Sequence, residues 1–193
     1  GRAYCESLAA QGANVVAADI RDTGDTTKSV ISAGGHAIGI HLDVTDRASC
    51  GDMANAAIEA YGRIDSLVNN AALYGDISGG RFDQIPESQW DNVMNVNIKG
   101  IWNCCRACVP SIREVGGGTI INISSLAATY GMPYALDYTM SKAAVIGMTR
   151  SLARELGRDW IRVNAVAPTA VLTEGTKEYM GEKMEKALAV IAS

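Results

Sequence analysis

GTIINISS, residues 118–125, decides how this chain is read. Thr119, Ile120, Ile121 and Ile123 form a short, mostly β-branched run that starts at a glycine. Apolar runs of this length suit a strand buried in a parallel sheet. Two hydroxyls, Ser124 and Ser125, follow at its carboxyl end, where open α/β sheets bind their ligands. Outward from this stretch the pattern alternates. A helix over 2–11 ends at Gly12, and a strand covers 14–19. A helix near 26–33 stops at Gly34-Gly35, and a strand covers 37–42. Asp46 is an N-cap for a helix to about Tyr61, which Gly62 ends. A strand at 66–69 leads into a glycine-containing loop over 73–81. Pro86 opens a helical region to about Val115, bent near Asn97. Beyond the decisive stretch come a helix over 138–157 and a strand over 161–166, and residues 176–192 carry a helical apolar stripe. The alternation predicts an α/β fold: one domain, residues 1–193, with a parallel sheet and helices on both faces in three layers.

Composition narrows the partners. The chain has 193 residues, 48% hydrophobic and 20% charged, with a net charge of −4. A mildly acidic chain is a poor match for nucleic acid or an anionic membrane. No apolar run reaches the roughly 18 residues of a membrane span. Five cysteines at irregular spacing predict reduced thiols and a cytoplasmic location. Cys105-x-x-Cys108 has the spacing of a metal or redox pair. It lies in an apolar helical stretch without a nearby histidine, which favours core packing and no metal site.

Tyr138-Thr139-Met140-Ser141-Lys142 places a phenol and an ammonium on one face of a helix. A cation at that spacing is expected to lower a tyrosine pKa from its usual value near ~10 and make Tyr138 a general acid/base. Upstream, Asn97 is a polar residue among apolar neighbours, which also suits a helix bend bonded to local backbone. Ser124 and Ser125 equally suit strand-end capping.

Asn97, Ser125, Tyr138 and Lys142, in this order and at these spacings, resemble the catalytic tetrad of the short-chain dehydrogenase/reductase family. The resemblance extends through Leu42-Asp43-Val44, Leu67-Val68-Asn69-Asn70-Ala71-Ala72 and Ile161-Arg162-Val163-Asn164-Ala165-Val166-Ala167-Pro168, covering residues 1 to about 175. It implies a Rossmann-like, doubly wound oxidoreductase domain. It also implies that Ser125 holds the substrate oxygen and Tyr138 exchanges the proton. Lys142 would tune the tyrosine and bond the nicotinamide ribose, while Asn97, through its backbone or a water, links Lys142 to solvent.

The same resemblance implies a cofactor site. Gly1-Arg2-Ala3 matches the residues just after the last glycine of the family's phosphate-binding loop, and Gly1 is thereby assigned to the cofactor. The chain is accordingly expected to be a partial sequence, lacking the first strand, most of that loop and the C-terminal end. Asp19, eighteen residues after Gly1, would accept from the adenosine ribose hydroxyls and repel a 2′-phosphate, with Ile20 beside it. A turn aspartate is the plainer alternative. Asp43 and Val44 would flank the adenine, and Asp43 also suits the turn before the next helix. Asn70 and Ala71 would pass near the ribose. Pro168 and Thr173 would meet the nicotinamide carboxamide and pyrophosphate. The cofactor expected is NAD, although Arg21 lies close enough to accommodate a phosphate.

Loops at the strand ends supply a mainly apolar pocket: Leu126, Tyr130, Met132, Tyr134, Leu136, Val171, Leu172, Tyr179 and Met180, with Arg81 and Lys177 at its edge and residues 174–193 as part of a substrate lid. An apolar or ring-bearing secondary alcohol or ketone is expected. An NADPH-dependent 3-oxoacyl-thioester reductase and a non-catalytic NAD(H) sensor are the alternatives. Apolar residues on several sides of the helices near 98–115 and 138–157 predict a homodimer or homotetramer.

Overall fold

Gly118–Ile123 (β4) is the middle strand of a three-stranded parallel sheet, between Ser66–Asn69 (β3) and Ile161–Val166 (β5). These relations come from a computed structural model, which describes residues 1–74, 79–169 and 171. Asn14–Asp19 (β1) and His36–His41 (β2) form a second, two-stranded parallel sheet. Among the described residues no ladder joins β1 to β3. All the pairings are parallel, so within each sheet the carboxyl ends lie together.

Helices Arg2–Ala10 (α1) and Gly24–Ser32 (α2) cover one face of the two-stranded sheet through Ala9, Val15 and Val30. Arg47–Tyr61 (α3), Gly100–Glu114 (α5) and Leu136–Leu156 (α7) build the main core on Leu42, Ile101, Ile112, Ile120, Val145 and Ile161. Val16 and Ala18 of β1 pack against this core, so helices cover both faces of β1. The α/β class and its flanking helices agree with the sequence expectation.

Local chemistry explains most boundaries. The Asp46 carboxylate accepts from the Ala48 and Ser49 N–H groups at the start of α3, and Gly62 ends it at φ 77°. The long helical region is three segments. Glu87–Met94 (α4) runs through a π-helical turn at Asn95–Lys99 into α5. The expected bend at Asn97 is therefore an extra-wide turn, a form frequent at functional sites. Three short elements escaped the sequence, Ala127–Tyr130 (α6) and 3₁₀ turns at Phe82–Gln84 and Gly157–Asp159. The helix expected from Tyr138 begins at Leu136. The expected stripe at 176–192 and the lid at 174–193 lie outside the described residues.

Gly100 is where α5 presses on the turn after β2. A Cβ there would sit 2.6 Å from Val44 Cγ2 and 2.9 Å from its Cβ. Alanine is the better helix former by about 1 kcal/mol, but it would have to displace Val44. Gly100→Ala is therefore expected to lower the thermal midpoint by several degrees, about 1–3 kcal/mol of overpacking. A melt as stable as the parent's would show that the turn yields freely.

Candidate active site

Tyr138, in the first turn of α7, is buried, with the Ser125 side chain near enough to its hydroxyl to favour the phenolate. Ser125 lies just beyond β4, where its Oγ also accepts from the Ala127 N–H at 3.1 Å, the start of α6. The segment leaving β5 closes over this corner. Val166 O accepts from the Ser124 N–H at 2.8 Å and Pro168 O from the Leu126 N–H at 3.0 Å.

One turn along α7, Lys142 is 3% exposed and its Nζ donates to Ile123 O at 2.8 Å. The ammonium lies 5.7 Å from the Tyr138 ring centroid. Burial dominates both groups. It pushes the Tyr138 phenol above its usual value, against a smaller opposing effect of the Ser125 side chain. It pushes Lys142 down to about 8. The expected lowering of the tyrosine by the lysine is thus corrected: desolvation of the phenolate dominates and raises the phenol.

Asn97 lies in the π-helical turn, 1% exposed. Its Oδ1 accepts from the Leu73 N–H at 2.8 Å. Its Nδ2 donates to Leu73 O at 3.3 Å and Ser141 Oγ at 3.0 Å. These bonds use both amide N–H groups and one lone pair of the oxygen, and the link the side chain makes to α7 runs through Ser141. Its side chain braces the loop after β3 against α7, and the Lys142 ammonium bonds the Ile123 carbonyl instead.

Sequence reasoning missed several neighbours. The Tyr74 ring lies 5.0 Å from that of Tyr138, tilted by 49°. Asp137 is fully buried beside the tyrosine and accepts from Gln89 on α4. No local spacing announces these residues, which arrive from separate elements. A charged residue next to an active-site candidate, at a buried helix start, was the one signal present. Of the expected pocket lining, Met132 packs into the Tyr138 cluster. Leu126, Tyr130, Tyr134, Leu136 and Val171 are exposed. Arg81 pairs with Asp83 at 3.1 Å. Leu172, Tyr179, Met180 and Lys177 lie outside the described residues.

The residues expected around a cofactor lie in turns at the carboxyl ends of the strands. Asp19 ends β1 with an exposed carboxylate whose Oδ1 accepts from the Arg21 N–H at 2.9 Å; Ile20 beside it is exposed. Asp43 Oδ1 accepts from Thr45 N–H and Oγ1–H at 2.8 and 2.7 Å, holding that carboxylate below the usual range. Among the described residues no bond falls on Oδ2 of Asp19, whereas the Asp46 N–H also lowers the Asp43 carboxylate. Val44, in the same turn as Asp43, is mostly buried and packs against Gly100. Gly1 and Asn70 are neighbours, since a Cβ on Gly1 would lie 3.5 Å from Asn70 Nδ2. Ala71 is exposed and Pro168 half-buried, and Thr173 lies outside the described residues. The exposed Asp19 carboxylate, a glycine beside an amide and a lysine with further N–H groups suit the hydroxyls and phosphates of a dinucleotide. The donor set fits a nicotinamide cofactor.

No group of three or more His, Cys, Asp or Glu among the described residues is arranged to hold a metal, and no described helix is long and apolar enough to cross a membrane. All five cysteines are free. Cys50 and Cys104 lie 3.8 Å apart, sulfur to sulfur, and burial raises both thiols.

A parallel α/β fold with a Ser–Tyr pair at the strand ends defines a class of dinucleotide-linked oxidoreductases, and the comparisons agree. The sequence matches the family described as "Enoyl-(Acyl carrier protein) reductase" over residues 1–192. It is 38% identical over 193 residues to the 3-oxoacyl-[acyl-carrier-protein] reductase FabG of Thermotoga maritima, covering 99% of this chain and 77% of that protein. An uncharacterized oxidoreductase of Mycobacterium tuberculosis is 41% identical over 188 residues, 96% of this chain and 75% of that one. A short-chain dehydrogenase/reductase structure from Burkholderia xenovorans superposes with a TM-score of 0.90 at 30% identity, covering 98% of this chain and 74% of the other. A 3-ketoacyl-ACP reductase structure from Sinorhizobium meliloti gives 0.85 at 33% identity, covering 90% and 69%. The chain belongs to the short-chain dehydrogenase/reductase family. It is an oxidoreductase of CH–OH and keto groups, in a family that binds a nicotinamide cofactor.

The buried lysine generates a stability prediction. Its folded pKa of about 8 lies below the ordinary 10.5, so between those values the unfolded chain binds more protons than the folded one. Stability contributed by Lys142 therefore rises with pH across that window. Lys142→Met should be favoured over the parent at pH 7.5 by on the order of 2 kcal/mol more than at pH 10. Urea unfolding of both chains at the two pH values measures it, and a pH-independent difference would contradict the burial of the charge.

Proposed function

We propose that this protein transfers hydride between NAD(H) and a secondary alcohol or its ketone, using Tyr138 as the group that moves the proton. The observation that carries the reading is the buried Tyr138 phenol with the Ser125 side chain near its hydroxyl and the buried Lys142 ammonium 5.7 Å from its ring. The cofactor, when bound, gives or takes the hydride. In reduction, Tyr138 gives its hydroxyl proton to the substrate oxygen as that oxygen gains negative charge. Ser125 donates a hydrogen bond to the same oxygen and holds it within reach of the phenol. Lys142 spends one N–H on Ile123 O and keeps the others for ribose hydroxyls. Its charge also stabilises the phenolate left behind, partly offsetting the cost of burial.

Asp19 supports NAD over NADP, because its exposed carboxylate would repel a 2′-phosphate. Tyr74 beside Tyr138, and the exposed Leu126, Tyr130 and Tyr134, favour apolar or ring-bearing substrates. A second reading, NADPH-dependent reduction of a 3-oxoacyl thioester, is favoured by the names of the Thermotoga maritima relative and the Sinorhizobium meliloti structure. Self-association fits the exposed Trp102 on α5, stacked under Arg106 at 4.5 Å, and light scattering at micromolar concentration measures it.

Steady-state kcat/KM for NADH and NADPH, each with acetophenone and with acetoacetyl-CoA, separates the readings. NADH with the aromatic ketone should lead; NADPH with the thioester leading would establish the second. Asp19→Ala should lower kcat/KM for NADH roughly ten- to hundredfold and narrow the preference against NADPH, since hydrogen bonds and a repulsion vanish together. Tyr138→Phe keeps the ring and removes the proton. Turnover should fall by several orders of magnitude while cofactor affinity is retained. Near-parental turnover in that variant would end the mechanism.

A further inference from the structure

Asp137 is a carboxylate that the reaction above does not use, and it is 0% exposed. Burying such a group is costly unless it is bonded on both oxygens. Here Oδ2 accepts from Gln89 Nε2 at 2.8 Å and Oδ1 from the backbone N–H of Tyr138 at 2.9 Å. Asp137 also lies in the first turn of α7, where the helix dipole favours negative charge. Gln89 belongs to α4, a different element.

The other end of the Tyr138 peptide is held the same way. Tyr138 O accepts from Ser141 Oγ at 2.7 Å, and Ser141 Oγ accepts from Asn97 Nδ2 at 3.0 Å. Asn97 follows α4 in the π-helical turn. One continuous helical stretch therefore grips the tyrosine's peptide at its N–H through Gln89 and Asp137, and at its C=O through Asn97 and Ser141. Between these grips the phenol has little freedom, with Tyr74 on its ring and Ser125 at its hydroxyl.

We propose that Gln89 and Asp137 are positioning residues of the active site: the amide-to-carboxylate bond between α4 and α7 fixes the Tyr138 phenol against Ser125. The proposal rests on the reading of Tyr138 as the proton-transferring group, but its test does not. Neither residue touches the reacting atoms. A misplacement of the phenol by an ångström is enough to lower turnover roughly a hundredfold.

The position of the phenol is read directly by NMR of the full chain labelled with ¹³Cζ-tyrosine, the Tyr138 signal being assigned by its loss in Tyr138→Phe. Tyr74's ring, 5.0 Å away, makes that signal sensitive to small displacements. Gln89→Ala and Asp137→Ala should each shift or broaden it. Asp137→Asn should leave it near the parent position, because the introduced amide can accept from the Tyr138 N–H and donate to a flipped Gln89. Gln89→Glu should displace it by opposing two carboxylates, and adding Asp137→Asn to Gln89→Glu should return it. For whichever cofactor and substrate pair turns over best, kcat of the displaced variants should fall at least tenfold with cofactor KM unchanged. An unmoved Tyr138 signal in both alanine variants overturns the proposal, whatever happens to the melting temperature. So does a moved signal with kcat unchanged, if the parent turns over and Tyr138→Phe does not. If Tyr138→Phe keeps parental turnover, the proton-transfer reading fails, and the NMR result still decides whether the clamp holds the ring.

Discussion

A polar side chain taken out of water must find a partner inside, and this constraint organises the site. Asn69, Asn97, Asn103, Asn122, Ser124, Asp137, Ser141, Lys142 and Thr149 are all buried. Among the described residues every buried side-chain nitrogen and oxygen is bonded. Many of the bonds join different elements. Asn69 on β3 donates to Asn122 on β4 at 2.8 Å, and Asn122 donates to Thr149 on α7 at 2.9 Å. Ser124 Oγ donates to Lys142 O at 2.8 Å. Apolar packing tolerates small slides between a helix and a sheet. A chain of directional bonds does not, since each lost partner costs about 1–3 kcal/mol. The register between α7 and the strand ends is thereby fixed by chemistry as well as by shape.

What the sequence made legible was local. Asp46 before a helical run and Gly62 after it define α3 by capping chemistry that needs no knowledge of the rest. β-branched runs at 14–19 and 118–123 read as strands for the same reason. The π-helical turn was visible only as a bend, because the feature that stabilises it is the Leu73 backbone, far away in sequence. A four-residue helix such as α6 has too little periodicity to register. Asn97, Ser125, Tyr138 and Lys142 stood out by spacing, whereas Gln89, Ser141 and Tyr74 did not. Their roles depend on contacts across the fold.

The electrostatics were the least legible part. Spacing alone placed Lys142 beside Tyr138 and suggested attraction between ammonium and phenolate. Burial was invisible at that level, and burial acts on each charged form separately. In the folded chain it raises the phenol and lowers the ammonium to about 8, favouring the neutral form of each. A site in that condition is poised to respond to further charge. A cationic ring brought near the pair would favour the phenolate, and an anionic substrate would oppose it. The proton affinity of the tyrosine is thus set jointly by the protein and by its ligands.

Helix α5 extends the same logic to the turn after β2. Asn103, three residues beyond Gly100, donates from Nδ2 to Val44 O at 2.9 Å and Thr45 O at 3.4 Å. Gly100 lets Val44 press against the helix, and Cys50 Sγ lies 3.7 Å from Val44 O. The turn carrying Asp43 is therefore fastened to the helical stretch whose preceding segment grips Tyr138. Six residues separate Asn97 from Asn103, about 9 Å along a helix axis. A rigid element of that length holds the turn carrying Asp43 and the tyrosine in one frame, and the π-helical turn between α4 and α5 is where that frame was adjusted. An extra residue in the turn rotates everything before it relative to everything after. It lets Asn97 face Leu73 and Ser141 while Gly100 and Asn103 face Val44. A regular helix through 95–99 would turn one of those two sets away from its partners, which is a physical reason for the widened turn to sit at this point in the chain.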